Sequence, residues 1–425
     1  MLVALLFGTF AACLMLGVPV AISLGVASLA YLLGAGIDLT VVPQFMYTGM
    51  DSFVLLCIPG FVLAGNLMNR GGITDQIVRF SSAVLGHIRG GLGLANVGGS
   101  MIFAGISGTA VSETASIGAV MIPAMKKSGY SAGFAAALTA SASTVGPIIP
   151  PSVPMIIVGT LTGLSVGRMF LAGAIPGVLM GLGMMVTCYL IARARNYPKG
   201  TWAGFGEIFN SGKAAFWAIL MTVIILYGIV GGIFTPTEAS IVASIYAFLV
   251  GLFIYKGFRL RELPKILLDS AIGSGALILL VGLANLFGWI LTSEQIPQQI
   301  AASMLAMTEN KYVIILLVNV LLLIVGTFME TIAALIILFP PLLAVATAVG
   351  IDPVHFAMIC VINLMLGLTT PPVGVCLFVA GNIARVPLGT VARETVPFLL
   401  CNILVLMLVS FVPAISLWLP SLMFD

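Results

Sequence analysis

The chain has 425 residues, 60% of them hydrophobic and 7% charged, with a mean hydropathy of +1.21. Soluble domains carry about 25% charged residues, so these proportions point to a polytopic membrane protein. The 17 Lys and Arg nearly balance the 14 Asp and Glu, so no nucleic-acid or acidic-partner reading follows from the charge. The sequence contains no phosphate-binding Gly-rich loop and no His-Glu-x-x-His helix, so energy from ATP would have to come from another chain.

The stretch "MLVALLFGTF" has no positive n-region and predicts a retained first helix rather than a cleaved leader. Apolar spans follow near 3–17, 19–36 and 52–69. Arg70, Arg79 and Arg89 mark a cytoplasmic loop after them, which places the N-terminus outside. Residues 73–88 carry Ile73, Ile77, Val84 and Ile88 as one apolar stripe, and 294–309 carry Ile296, Ile300 and Met307. Both segments read as interfacial arm helices lying along the membrane surface.

Gly90–Lys127 begins and ends among inside-facing basic residues. As one helix it would be roughly 57 Å long, against an apolar core of about 30 Å. Its centre, "GISGTAVSETASIG", is dense in small and polar residues, so a re-entrant hairpin with its tip at Ser107–Thr109 is expected. Residues 131–165 then cross as a span broken at "STVGPIIPPS" (143–152), where prolines remove donors and clash with the preceding turn. Arg193, Arg195 and Lys199, then Lys256, Arg259, Arg261 and Lys265, read as cytoplasmic clusters. The spans 213–232 and 236–255 run out and back between them. A second hairpin is expected over 311–349, with its tip at Gly326–Thr327, and a second broken span over 353–385, interrupted at "GLTTPPVG" (367–374). The six cysteines (13, 57, 188, 360, 376 and 401) are scattered in apolar segments and read as small buried hydrophobes.

The chain repeats itself weakly. Pro19 and Ser23 match Pro236 and Ser240, Glu113 matches Glu330, and Pro123 matches Pro340, each 217 residues apart; the paired prolines match at 221. The charge pattern turns the second half upside down relative to the first, and inverted repeats with discontinuous helices are a signature of secondary transporters. The expected fold is therefore an all-α polytopic membrane protein with two hairpins, two broken helices and two arm helices. Scaffold helices and the first arm occupy 1–89 and the first transport half 90–192. Scaffold helices and the second arm occupy 213–309, and the second transport half 311–419.

Broken backbone at membrane depth is tolerated where something else satisfies it. Carbonyls and hydroxyls suit a hard cation such as Na⁺, and helix N-termini suit an anion. Ser107, Thr109 and Thr327 at the tips, and Ser143, Thr369 and Thr370 at the breaks, are candidate ligands, although membrane helices also use such hydroxyls to bond their own carbonyls. Ser152 is a candidate substrate contact or a helix N-cap. Glu330, with Glu113 as its match, is an intramembrane acid and so a candidate for shaping the cation or substrate site. Glu238 has the position of a structural residue. Arg168 and Arg385 are each either a two-pronged carboxylate clamp or an interfacial anchor.

Four segments in order, "GPIIPPS" (146–152), "LSVGRMFLAGAIPG" (164–177), "GGIFTPTEAS" (231–240) and "GLTTPPVG" (367–374), resemble the large membrane subunit of the tripartite ATP-independent periplasmic (TRAP) transporters, possibly of the sialic acid type. The resemblance covers essentially the whole chain. It implies Na⁺-coupled uptake of an organic acid, such as sialic acid, a C4-dicarboxylate or a related carboxylate, across the bacterial inner membrane. It also implies two partners, a periplasmic substrate-binding protein and a small four-helix membrane subunit, and an elevator mechanism. Two or more sodium ions are implied. The first would lie between Ser107, Gly108, Thr109 and Ser143, Gly146, Pro147. The second would lie between Gly326, Thr327 and Gly367, Thr369, Thr370. Substrate would sit between the tips, near Ser107, Ser152, Arg168 and Glu330. A self-sufficient sodium–anion symporter is the nearer alternative. An intramembrane serine protease reading of "GISG" is remote, because only His87 and His355 are available as a base and both are expected near the surface.

Overall fold

A computed structural model of the protein describes residues 2–308 and 310–424; the side chains of Ile106, Ser107, Pro297, Ala301, Leu305 and Met307 lie outside the described set. Helices α1 (Leu2–Met15) and α2 (Val20–Ala35) pack on each other. α2 stops at Gly36, whose left-handed φ of 68° lets its N–H reach back to Leu32 and Leu33. A short α3 (Val41–Met50), which apolar pattern alone did not indicate, leads through a tight turn into α4 (Cys57–Arg70). α5 (Ile73–Leu85) is amphipathic: Ile73 and Ile77 are buried while Asp75 and Arg79 are exposed. Its apolar side packs on α6 (Gly91–Ser107) and α11 (Gly204–Val230).

Between these two, α7 (Ala110–Lys127) turns back from α6 and packs along it. α8 (Ala132–Ala142) and α9 (Val153–Thr162) share one broken segment, and α10 (Val166–Ala194) is a long apolar helix. α12 (Pro236–Leu249) extends through a π turn to Ile254 and is followed by α13 (Leu263–Ser293) and α14 (Ile296–Met307). α15 (Lys311–Gly326) and α16 (Thr331–Ala348) form the second helix pair. α17 (Pro353–Gly367) and α18 (Val375–Ala384) share the second broken segment, and α19 (Leu388–Phe411) and α20 (Ala414–Phe424) complete the chain. Seven helices among the described residues are long and apolar enough to cross a membrane.

Two features of packing position the site. α4 and α12, from opposite halves, form the most extensive helix contact. Small residues allow it: Ser244 Oγ donates to the Gly60 carbonyl (2.7 Å), and Thr237 Oγ1 to that of Phe53 (2.7 Å). The start of α12 is closed by a capping box. Thr235 N donates to Glu238 Oε2 (2.8 Å), and Glu238 N to Thr235 Oγ1 (3.2 Å). Glu238 is thus a structural residue.

The other feature is an exchange between halves. α9 of the first half packs on α16 of the second, and α18 of the second packs on α7 and α8 of the first. Lys126 Nζ, at the end of α7, donates to the Ala384 carbonyl at the end of α18 (2.8 Å). The hairpins and broken segments are therefore interlocked. At the centre, α8 is buried over Gly133–Ala142 and α17 over Val354–Gly367. Both of these wholly buried helices end at a proline-rich break, so the end dipoles of two helices are delivered into the protein interior.

Candidate transport site at two broken helices

In the second half, α17 ends at Gly367 and the chain resumes as α18 at Val375, with a cis bond between Pro371 and Pro372. α15 ends at Gly326, and the four residues Thr327–Glu330 link it to α16. Gly326 and Gly367 meet backbone to backbone. A β-carbon added at Gly326 would lie 3.2 Å from Gly367 Cα, and one added at Gly367 would lie 2.5 Å from the Gly326 carbonyl carbon and oxygen. Only glycine permits this approach from both sides.

The hydroxyls around this contact are all turned to carbonyls. Thr327 Oγ1 donates to Ile324 O (2.7 Å), Thr369 Oγ1 to Leu366 O (3.0 Å) and Thr370 Oγ1 to Leu366 O (2.8 Å). Each donor is satisfied, which leaves oxygen lone pairs as the remaining polarity. The groups around the contact are all oxygen, the ligand type that suits a hard cation. Glu330 serves as the N-cap of α16, accepting from Ile332 N (2.9 Å) and Ala333 N (3.1 Å). It therefore stands at the tip, at the mouth of a helix N-terminus.

In the first half, α8 ends at Ala142, a tight turn covers Ser143–Val145, and α9 begins at Val153 after a cis bond between Pro150 and Pro151. Ser143 Oγ donates to Thr139 O (2.9 Å). Ser152 is the N-cap of α9: it accepts from Met155 N (3.3 Å), and its hydroxyl donates to the Pro147 carbonyl. It ties the two ends of the break together and is fully buried. Gly108 forms the tip between α6 and α7, with φ of 61°, and Thr109 is the N-cap of α7. The side chain of Ser107 lies outside the described residues.

The two halves are not closed in the same way. A β-carbon at Gly108 would lie 3.2 Å from Val153 Cγ2 and 3.7 Å from Pro151 O, so this tip packs on the far end of the break. The group that meets Gly146 is Glu113, one turn into α7, whose carboxylate occupies the space a side chain at Gly146 would need. The elements also fix the register of the repeat. Ala110 and Thr331, the first residues of α7 and α16, lie 221 apart, as do Ala132 and Pro353, the first residues of α8 and α17. In that register Gly146 corresponds to Gly367, and Thr109, not Glu113, corresponds to Glu330.

Arg168 lies at the start of α10. Its guanidinium donates to the Phe424 carbonyl (3.4 Å) and stands 5.6 Å from the centre of the Phe424 ring, which fixes it at the seam with α20. Arg385 is exposed, in a left-handed cap after α18. His355 is buried rather than near the surface: its Nδ1 lies 2.7 Å from Ser416 Oγ and its Nε2 3.3 Å from the Ser410 carbonyl. His87 packs edge-on against Trp202 at 4.6 Å.

Residues 7–415 match the sequence profile of the tripartite ATP-independent periplasmic transporter, DctM component. The chain belongs to this family. It is 41% identical over 409 residues to the sialic acid TRAP transporter large permease SiaM of Vibrio cholerae, covering 96% of this chain and 95% of that one. It is 40% identical to the isethionate TRAP transporter permease DctMQ of Oleidesulfovibrio alaskensis, covering 97% of this chain and 65% of that protein. It is also 40% identical to the C4-dicarboxylate TRAP transporter large permease DctM of Pseudomonas aeruginosa, covering 88% of each. Among solved structures, the YdaH transporter of Alcanivorax borkumensis shares the fold, with a TM-score of 0.60 at 16% identity over 89% of this chain and 87% of that chain. As a TRAP large permease the protein is a transporter component and not an enzyme, and it is a multi-pass protein of the bacterial inner membrane.

Proposed function

We propose that this TRAP permease takes up an organic acid by symport with Na⁺, receiving its substrate from a periplasmic binding protein and working with a small four-helix membrane subunit. Sialic acid and C4-dicarboxylates are the substrate classes favoured by its relatives' names. The observation that carries the sodium reading is the contact of Gly326 with Gly367 at the end of a wholly buried helix, ringed by Thr327, Thr369 and Thr370. The carbonyls at this buried helix end already accept from the Thr hydroxyls and from backbone N–H groups of the break, and their second lone pairs are what a small cation would use. Cation binding then draws the tip of the α15–α16 pair onto the break. The N-terminus of α7 at Thr109 favours the substrate carboxylate between the tips, whereas that of α16 is already taken by the Glu330 carboxylate.

An elevator movement follows from the same reading. The hairpins and broken segments are interlocked across the halves, so they move as one body against the scaffold of α1–α4 and α11–α13, with α5 and α14 as arms. The test is omission. Proteoliposomes holding this chain with the small subunit and the binding protein accumulate substrate, and leaving out either partner abolishes uptake. Full uptake by this chain alone would instead establish the self-sufficient symporter.

A further inference from the structure

The sodium reading treats the two breaks as equivalent, but the acid of each half sits differently against its break. Glu113 is completely buried, and among the described residues neither of its carboxylate oxygens has a hydrogen-bond partner. The buried Ser100 hydroxyl on α6 lies beside it, outside good hydrogen-bond geometry, and has no other partner among the described residues. A β-carbon on Gly146 would collide with Glu113 Oε2 and would lie 3.2 Å from the Ser143 carbonyl oxygen. The carboxylate therefore fills the notch left by the missing side chain of Gly146, and that carbonyl borders the same space. The notch lies at the C-terminal end of α8, where the helix dipole is negative. A carboxylate next to a negative helix end, in a dry interior, is doubly unfavourable until a cation or a proton neutralises it.

In the second half the acid is Glu330, which caps α16 at the tip instead of abutting the break. In the 221-residue register the counterpart of Glu113 is Ala334, and the counterpart of Gly146, Gly367, is met by the Gly326 backbone. We propose that Glu113, with the Ser143 carbonyl and the Ser100 hydroxyl, forms an anionic cation site at the first break, occupied by Na⁺, whereas the site at the second break is built from neutral oxygens alone. This inference rests on the sodium-symport reading and assigns the ligand that makes its two sites unequal. Gly146 is required because any side chain there would displace the carboxylate.

The test uses the complete transporter in proteoliposomes, with Na⁺-dependent thermal stabilisation of the purified membrane complex as a readout independent of transport. Glu113→Gln keeps the size and removes the charge. It should raise the Na⁺ concentration for half-maximal transport about tenfold or more, lower the Hill coefficient and weaken Na⁺-dependent stabilisation. Glu113→Asp should retain a measurable part of both. Gly146→Ala keeps the charge but pushes the carboxylate out of the notch, so it should behave like Glu113→Gln. Should Glu113→Gln fail to fold, Glu113→Asp and Gly146→Ala carry the same test. Folded Glu113→Gln with wild-type Na⁺ dependence overturns the assignment. A changed pH dependence of uptake with unchanged Na⁺ dependence overturns it too, by making Glu113 a proton carrier. A wild-type protein that ignores Na⁺ in both assays rejects sodium symport itself, and this site with it.

Discussion

Gly367→Ala adds one methyl group at the point where the second hairpin meets the second broken helix. That carbon would stand 2.5 Å from both the carbonyl carbon and the oxygen of Gly326, and ordinary contact begins near 3.4 Å. Both obstacles are backbone, so no rotamer change relieves the clash. The tip and the break must separate by about 0.9 Å, the difference between those two distances. Overpacking of this kind costs about 1–3 kcal/mol. Charged to the cation-bound, closed arrangement, that cost is about a 5- to 150-fold loss of affinity. The assay is the Na⁺ dependence of initial uptake rates in proteoliposomes at fixed substrate and binding protein. Gly389→Ala is the control, because a β-carbon there meets nothing within 4 Å. A Gly367→Ala protein that inserts normally and keeps the Na⁺ dependence of the Gly389→Ala control would refute the claim that this contact closes over the ion.

Thr370→Val replaces an oxygen beside the same break with a methyl group. It should raise the Na⁺ requirement several-fold while leaving substrate binding to the isolated periplasmic protein unchanged, as an uptake titration and a separate binding titration will show. Ser152→Ala removes both the α9 cap and the link to the Pro147 carbonyl. It should cost about 0.5–2 kcal/mol of stability, read as a lowered thermal midpoint of the purified complex, and an unshifted midpoint would mean the break holds without it. A cysteine at the exposed position Ser128 should react only with reagent supplied from the cytoplasm, and one at Asn310 only from the periplasm. The reverse pattern at either would reject the inverted arrangement of the halves.

The breaks were legible in the sequence because proline acts locally: "GPIIPPS" and "TTPPVG" interrupt apolar runs wherever the chain goes. The small-residue tips were legible for a similar reason. Other features depend on contacts between distant segments. Matching letters paired Glu113 with Glu330 at 217 residues, one helical turn out of the 221-residue register that the helix boundaries set. The meeting of Glu113 with Gly146 comes from the packing of α7 against the end of α8, which no spacing encodes. Ser152 and Thr327 carry side chains whose alternative uses, capping and ligation, have the same residue signature. α3 was missed because it is 10 residues long and contains Pro43 and Gly49, too short and too interrupted to show a span-like pattern.

Sodium coupling is tested most directly by the driving ion. Proteoliposomes carrying this chain, the small subunit and the binding protein should concentrate the organic acid above its external level under an inward Na⁺ gradient. The same vesicles under an equal K⁺ gradient should not. Equal accumulation with K⁺, or with a proton gradient in the absence of Na⁺, would contradict the assignment of the broken helices to sodium.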